Sequence, residues 1–118
     1  MALKTTSEPV ALRLTADRTA IQRTYGDLAY ITVEIVDRNG AVVKQAENEV
    51  SIDVAGPGVL LALGSSNSLT EELYTQKARK AFDGRLMAVV RSQGELGDIL
   101  VKAYADGLSA EQINIVAI

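Results

Sequence analysis

The side chains with a claim to chemistry in this sequence are its carboxylates: Asp and Glu total 15, against 12 Lys and Arg, in 118 residues. Histidine and cysteine are absent, which removes the usual general base, the commonest metal ligand and every thiolate. Glycoside cleavage, the reaction that runs on two carboxylates, needs them about 5–5.5 Å apart for retention or about 6.5–9.5 Å for inversion. Glu71 and Glu72 are adjacent, so an extended segment would point them to opposite sides. Glu47 and Glu49 could share a face, but no aromatic platform sits beside them for a sugar ring. Both pairs read as solvated turn and edge carboxylates.

Other groupings are weaker still. Ser65-Ser66-Asn67-Ser68 offers hydroxyls with no base to activate one. Gly56-Pro57-Gly58 is not a phosphate loop, because neither a helix start nor a lysine follows at the required spacing. Asp37-Arg38-Asn39-Gly40 has a faint likeness to a calcium loop without the later ligands, and Asn-Gly is in any case turn chemistry. The aromatics are Tyr25, Tyr30, Tyr74, Tyr104 and Phe82. Phe82 reads as core. The tyrosines read as covers for sheet or interdomain surface with their hydroxyls in water, and Tyr30 and Tyr104 are expected on the outward face of one sheet. No cofactor is implied.

The charge balance narrows the partners. A net charge of -3 with interspersed signs is an ordinary solvated surface. Nucleic-acid binding would want a basic stripe with interleaved aromatics, and Lys77-Ala78-Arg79-Lys80 followed by Phe82 alone does not supply one. No apolar run approaches the roughly 20 residues that cross a bilayer, and the opening residues lack the apolar core of a signal peptide. Residues 1–9 are expected to be a flexible lead-in, and from the abrupt start the sequence is expected to be an excised fragment. The whole length, 1–118, is expected to be one domain. A domain of this size buries roughly 65% of the surface its unfolded chain exposes, enough for a two-layer core without staples.

Period-two alternation dominates the sequence and marks half-buried strands. Val10, Leu12 and Leu14 form one inward row; Ala29, Ile31, Val33 and Ile35 form the next, with Tyr30, Thr32 and Glu34 outward. Val50, Ile52 and Val54 precede the Gly56-Pro57-Gly58 reversal, and Val59 to Leu63 make a shorter, more continuously apolar strand. Leu86, Ala88 and Val90 give another inward row, then Ile99, Val101 and Ala103, and last Ile113, Ile115 and Ala117. About seven short antiparallel strands with turn signals between them predict an all-β, immunoglobulin-like sandwich. The tryptophan and cysteine pair of antibody domains are absent, so aliphatic rows must fill the centre, with Val33 and Ala103 as neighbours across it.

Residues 65–78 are the ambiguous stretch. Ser68-Leu69-Thr70-Glu71 has the form of a capping box, and Leu69 and Leu73 have helical spacing. An irregular loop fits equally well and is the preferred reading. Connections this long inside a compact domain are usually functional or touch something. Asn67 and Tyr74 on this stretch, with Arg79 and Lys80 after it, are therefore the candidate contacts to a neighbouring domain or a glycan.

Four ordered segments resemble the C-terminal immunoglobulin-like domain of glycoside hydrolase family 2 enzymes, the β-galactosidase group. They are Leu14-Thr15-Ala16-Asp17-Arg18-Thr19-Ala20-Ile21, Asp27 through Asp37, Ala55-Gly56-Pro57-Gly58, and Arg79-Lys80-Ala81-Phe82-Asp83-Gly84. The sequence departs from the family where an Asn-Gly-Asp-type turn is usual and Gly64-Ser65-Ser66-Asn67-Ser68 stands instead. The resemblance implies a non-catalytic accessory domain whose partners are the other domains of the parent glycosidase, including a separate (β/α)8 barrel that carries the catalytic carboxylates. It also implies carbohydrate metabolism in a bacterium and a periplasmic or secreted location. Two alternatives stand beside it: a surface-adhesion repeat of the invasin or intimin type, which shares the sandwich, and a carbohydrate-binding module.

Overall fold

The computed structural model describes residues 8–24, 27–46, 48–64, 78–81 and 84–118, with the backbone alone for 78–80. Among them run nine strands: β1 (Ala11–Ala16), β2 (Ala20–Ile21), β3 (Leu28–Val36), β4 (Glu49–Ala55), β5 (Gly58–Gly64), β6 (Ala78–Lys80), β7 (Arg85–Ser92), β8 (Gly97–Tyr104) and β9 (Glu111–Ala117). The seven expected strands are all present. The two additions, β2 and β6, are too short to leave a periodic signal.

The strands form two sheets, ordered β1-β3-β7-β5 and β2-β9-β8-β4-β6. All pairings are antiparallel except β2 with β9, where Ala20 and Ile21 run parallel to Val116 and Ala117. The inward rows meet between the sheets. Ile31, Val33 and Ile35 of β3 and Ala88 and Val90 of β7 face Ile52 of β4, Ile99, Val101 and Ala103 of β8 and Ile115 of β9 in one cluster. Val33 and Ala103 thus belong to opposite sheets of the same core. Each large aliphatic side chain so removed from water contributes roughly 1.5–3 kcal/mol, which is how the sandwich holds without tryptophan or a disulfide. The first row is the exception to the pattern: Leu12 and Leu14 are buried but Val10 is exposed, because it precedes β1.

Turn chemistry fixes the register. Asp37 Oδ1 accepts the amides of Asn39 at 2.9 Å and Ala41 at 3.0 Å, and Gly40 takes a φ of 84°, closing the expected Asn-Gly reversal. The chain then doubles back, and Val43 and Ala46 plug the core, a contribution that no alternation announces. Gly84 is required where it stands. Its φ is 74°, its carbonyl accepts the Ile35 amide at 2.8 Å, and a Cβ there would run into the Val43 carbonyl oxygen. Phe82, expected in the core, lies outside the described residues, as does Asp83.

Candidate functional site

The outer faces of the two sheets carry different chemistry. On the four-stranded sheet, register sets Arg13 of β1, Glu34 of β3 and Arg85 of β7 side by side. Arg13 donates to Glu34 Oε1 through Nε at 2.9 Å and Nη2 at 2.7 Å, and Arg85 Nε donates to Oε2 at 3.1 Å. Arg13 Nη1 also reaches the Gly40 carbonyl at 2.8 Å, tying the Asn-Gly turn to the ladder. Burial works against the Glu34 charge, but the two guanidinium groups outweigh it and hold its carboxyl below the usual glutamate value. Tyr30 lies on this same face and is 42% exposed.

Asp27, at the entrance to β3, is a second anchored carboxylate. Its two oxygens take the Arg18 guanidinium at 2.6 and 3.2 Å and the backbone amides of Gln22 and Leu28 at 2.9 and 3.0 Å. Arg18 also donates to the Leu28 carbonyl. The Arg18 hydrogen bond above all, and the amides after it, lower the Asp27 pKa. A general acid needs the reverse, a carboxyl pushed up and left free to give its proton. Asp27 and Glu34 are both shifted down and both committed to arginines.

The five-stranded sheet presents a depression of about 190 Å³ lined by Asn48, Glu49, Ser51, Tyr104, Ala105 and Asp106. Pairing of β4 with β8 builds it, setting Ser51 opposite Tyr104 and Asp53 opposite Lys102. Tyr104 is 39% exposed. The Asp53 carboxylate accepts from its hydroxyl and adds negative charge beside it, so the phenol pKa is raised. Lys102 Nζ stands 5.9 Å from the ring centroid, within cation–π reach. Two expectations change here. Tyr30 and Tyr104 lie on opposite sheets, because β3 and β8 are not neighbours. Glu49 does share the wall of the depression with an aromatic, Tyr104, which β8 brings there by pairing with β4, a neighbourhood that local spacing does not reveal.

Of the expected contacts, Arg79 and Lys80 fall in β6, the edge strand beside β4, with Lys80 opposite Glu49 and Arg79 opposite Val50. This places the Lys80 backbone next to the strand that walls the depression. Asn67 and Tyr74 lie outside the described residues, as do Glu47, Glu71 and Glu72. Among the described residues no group of three or more acidic side chains could hold a metal ion, and no helix is long and apolar enough to cross a membrane.

Comparison with known proteins agrees with this picture. Residues 12–114 match the family model described as glycoside hydrolase family 2 C-terminal domain 5. A β-galactosidase of Bacteroides ovatus is 31% identical over 113 residues, which cover 96% of this chain and 13% of that enzyme. The crystal structure of a glycosyl hydrolase family 2 member from Bacteroides cellulosilyticus superposes with a TM-score of 0.89 at 33% identity, over 98% of this chain and 15% of that one. The D00-D0 domain of intimin superposes with a TM-score of 0.68 at 18% identity, over 98% of this chain and 50% of that one, a likeness of fold alone.

Proposed function

Because the chain belongs to the C-terminal domain 5 family of glycoside hydrolase family 2, we propose that it is the non-catalytic accessory domain of a β-galactosidase-like enzyme, packed on a catalytic barrel elsewhere in the parent polypeptide. The observation that carries this is one of proportion. The chain is matched over 96% of its length yet spans only 13% of the β-galactosidase it resembles. The side-chain chemistry supports the same reading: the anchored carboxylates Asp27 and Glu34 are held by arginines and shifted away from acid catalysis. The adhesion-repeat alternative has likeness of fold in its favour and nothing more.

Docking on the parent would use the β6 edge, where Arg79 and Lys80 stand; charges on an edge strand discourage unspecific strand pairing, so the contact there would be made by ionic side chains rather than by an added strand. A periplasmic or secreted parent is part of the same proposal. The test is an assay of this chain with a chromogenic galactoside, alone and added to the parent enzyme lacking it. No turnover by the chain alone is expected, together with recovered thermal stability of the truncated parent on addition. Turnover by the chain alone that disappears on replacing one of its own carboxylates would sink the proposal.

A further inference from the structure

Given the accessory role proposed above, we propose that the depression around Tyr104 is a binding subsite for a neutral pyranose. The arrangement joins an aromatic ring to convergent polar groups, the composition of a sugar contact. Tyr104 supplies the apolar face; Asn48, Glu49, Ser51 and Asp106 surround it with carboxylate, amide and hydroxyl groups. A site that combines one apolar surface with a few placed polar groups fixes both affinity and orientation.

The ring is available. At 39% exposure it is not sealed by Lys102, whose ammonium lies 5.9 Å from the centroid. Its backbone is fixed in the middle of the five-stranded sheet, where β8 pairs with β4 and sets Tyr104 opposite Ser51, so the ring is presented from a rigid strand rather than from a loop. The walls choose the ligand's charge. Glu49 and Asp106 line the depression and Asp53 lies on the adjoining β4 register opposite Lys102, so among the described side chains around Tyr104 carboxylates outnumber the single ammonium. Sugar hydroxyls donate to such groups with charge-assisted strength, whereas the carboxylate of a uronic acid would meet like charges in a confined space. A metal ion fits poorly, since among the described residues no three acidic side chains are placed to hold one together.

Amide spectra of the isotopically labelled chain, titrated with methyl β-galactopyranoside and in parallel with methyl β-glucuronide, test this. The neutral glycoside should shift Asn48, Glu49, Ser51, Tyr104 and Asp106 in a saturable, millimolar manner, and the glucuronide should not. Tyr104→Ala should weaken binding about tenfold, the factor expected for one lost aromatic contact. Tyr104→Phe, which keeps the ring, should bind nearly as the parent residue does, and well-dispersed spectra of both variants would show that they fold. Absence of saturable shifts, shifts centred elsewhere, glucuronide binding as tight as galactoside binding, or indifference to Tyr104→Ala would each overturn the assignment. None of these outcomes touches the accessory role, which the activity and stability assays decide separately.

Discussion

Asp27 grips Arg18 with both carboxylate oxygens, at 2.6 and 3.2 Å, and so joins the approach to β2 to the first residue before β3. The same two oxygens accept the Gln22 and Leu28 amides, which makes Asp27 the clasp between the end of β2 and the start of β3. Replacing Asp27 with Asn weakens every one of these contacts by removing the charge. Its folded pKa is depressed, so the stabilisation is complete above the ordinary aspartate range and is lost as pH falls through the lower folded value. The melting temperature of Asp27→Asn should therefore lie below that of the parent at neutral pH, and the gap should close on acidification. A gap that widened toward acid would show that Asp27 is not the clasp.

Glu34 is the bridge of the outer ladder, with a side chain only 15% exposed between Arg13 and Arg85. Glu34→Ala leaves two guanidinium groups adjacent with no counter-charge. The expected loss is up to about 1 kcal/mol, the upper end for surface ion pairs, and it should shrink in high salt as screening sets in. Urea unfolding at low and high ionic strength reads both.

Alternation along β3 predicts opposite fates for neighbouring residues. Ile31 is fully buried, so Ile31→Ala should cost about 2–5 kcal/mol. Thr32 faces outward, and Thr32→Ala should change stability by no more than about 0.5 kcal/mol. Comparable losses at the two positions in denaturant titrations would contradict the orientation of the sheet.

Gly56 turns the chain from β4 to β5 with a φ of 91°, and a Cβ at that point would collide with the Asp98 carbonyl oxygen. Gly56→Ala combines a left-handed backbone with that clash and should destabilise by about 1–3 kcal/mol or more. Gly107 has a φ of 79° but open space around it. Gly107→Ala carries the backbone strain alone and should be the milder of the two, as paired melting curves would show.

How much could be seen in advance follows from what each feature depends on. The inward rows of β3, β7, β8 and β9 were legible because alternation is a local property, and the Asn39-Gly40 and Gly56-Pro57-Gly58 reversals because their backbone needs are local too. The burial of Val43 and Ala46 was not, since two apolar residues in a polar connection have no period. Nor was the depression at Tyr104: Ser51 and Tyr104 become neighbours only through the β4–β8 register, which alternation leaves undetermined. The arginine ladder failed to appear for the same reason. Glu34 could be assigned an outward face, but not the partners Arg13 and Arg85 that two other strands bring to it.

The parallel pairing of β2 with β9 has a mechanical meaning. Ile118 donates to the Ile21 carbonyl at 2.9 Å and Val116 to the Thr19 carbonyl at 2.8 Å, while Ala11 bridges Ser109 in the same parallel sense. Early and late parts of the chain are thus bonded side by side and point the same way. Tension that draws the two ends of the domain apart would load these hydrogen bonds together, in shear, rather than peel them open one after another. Such a clamp would let the sandwich bear strain as a unit.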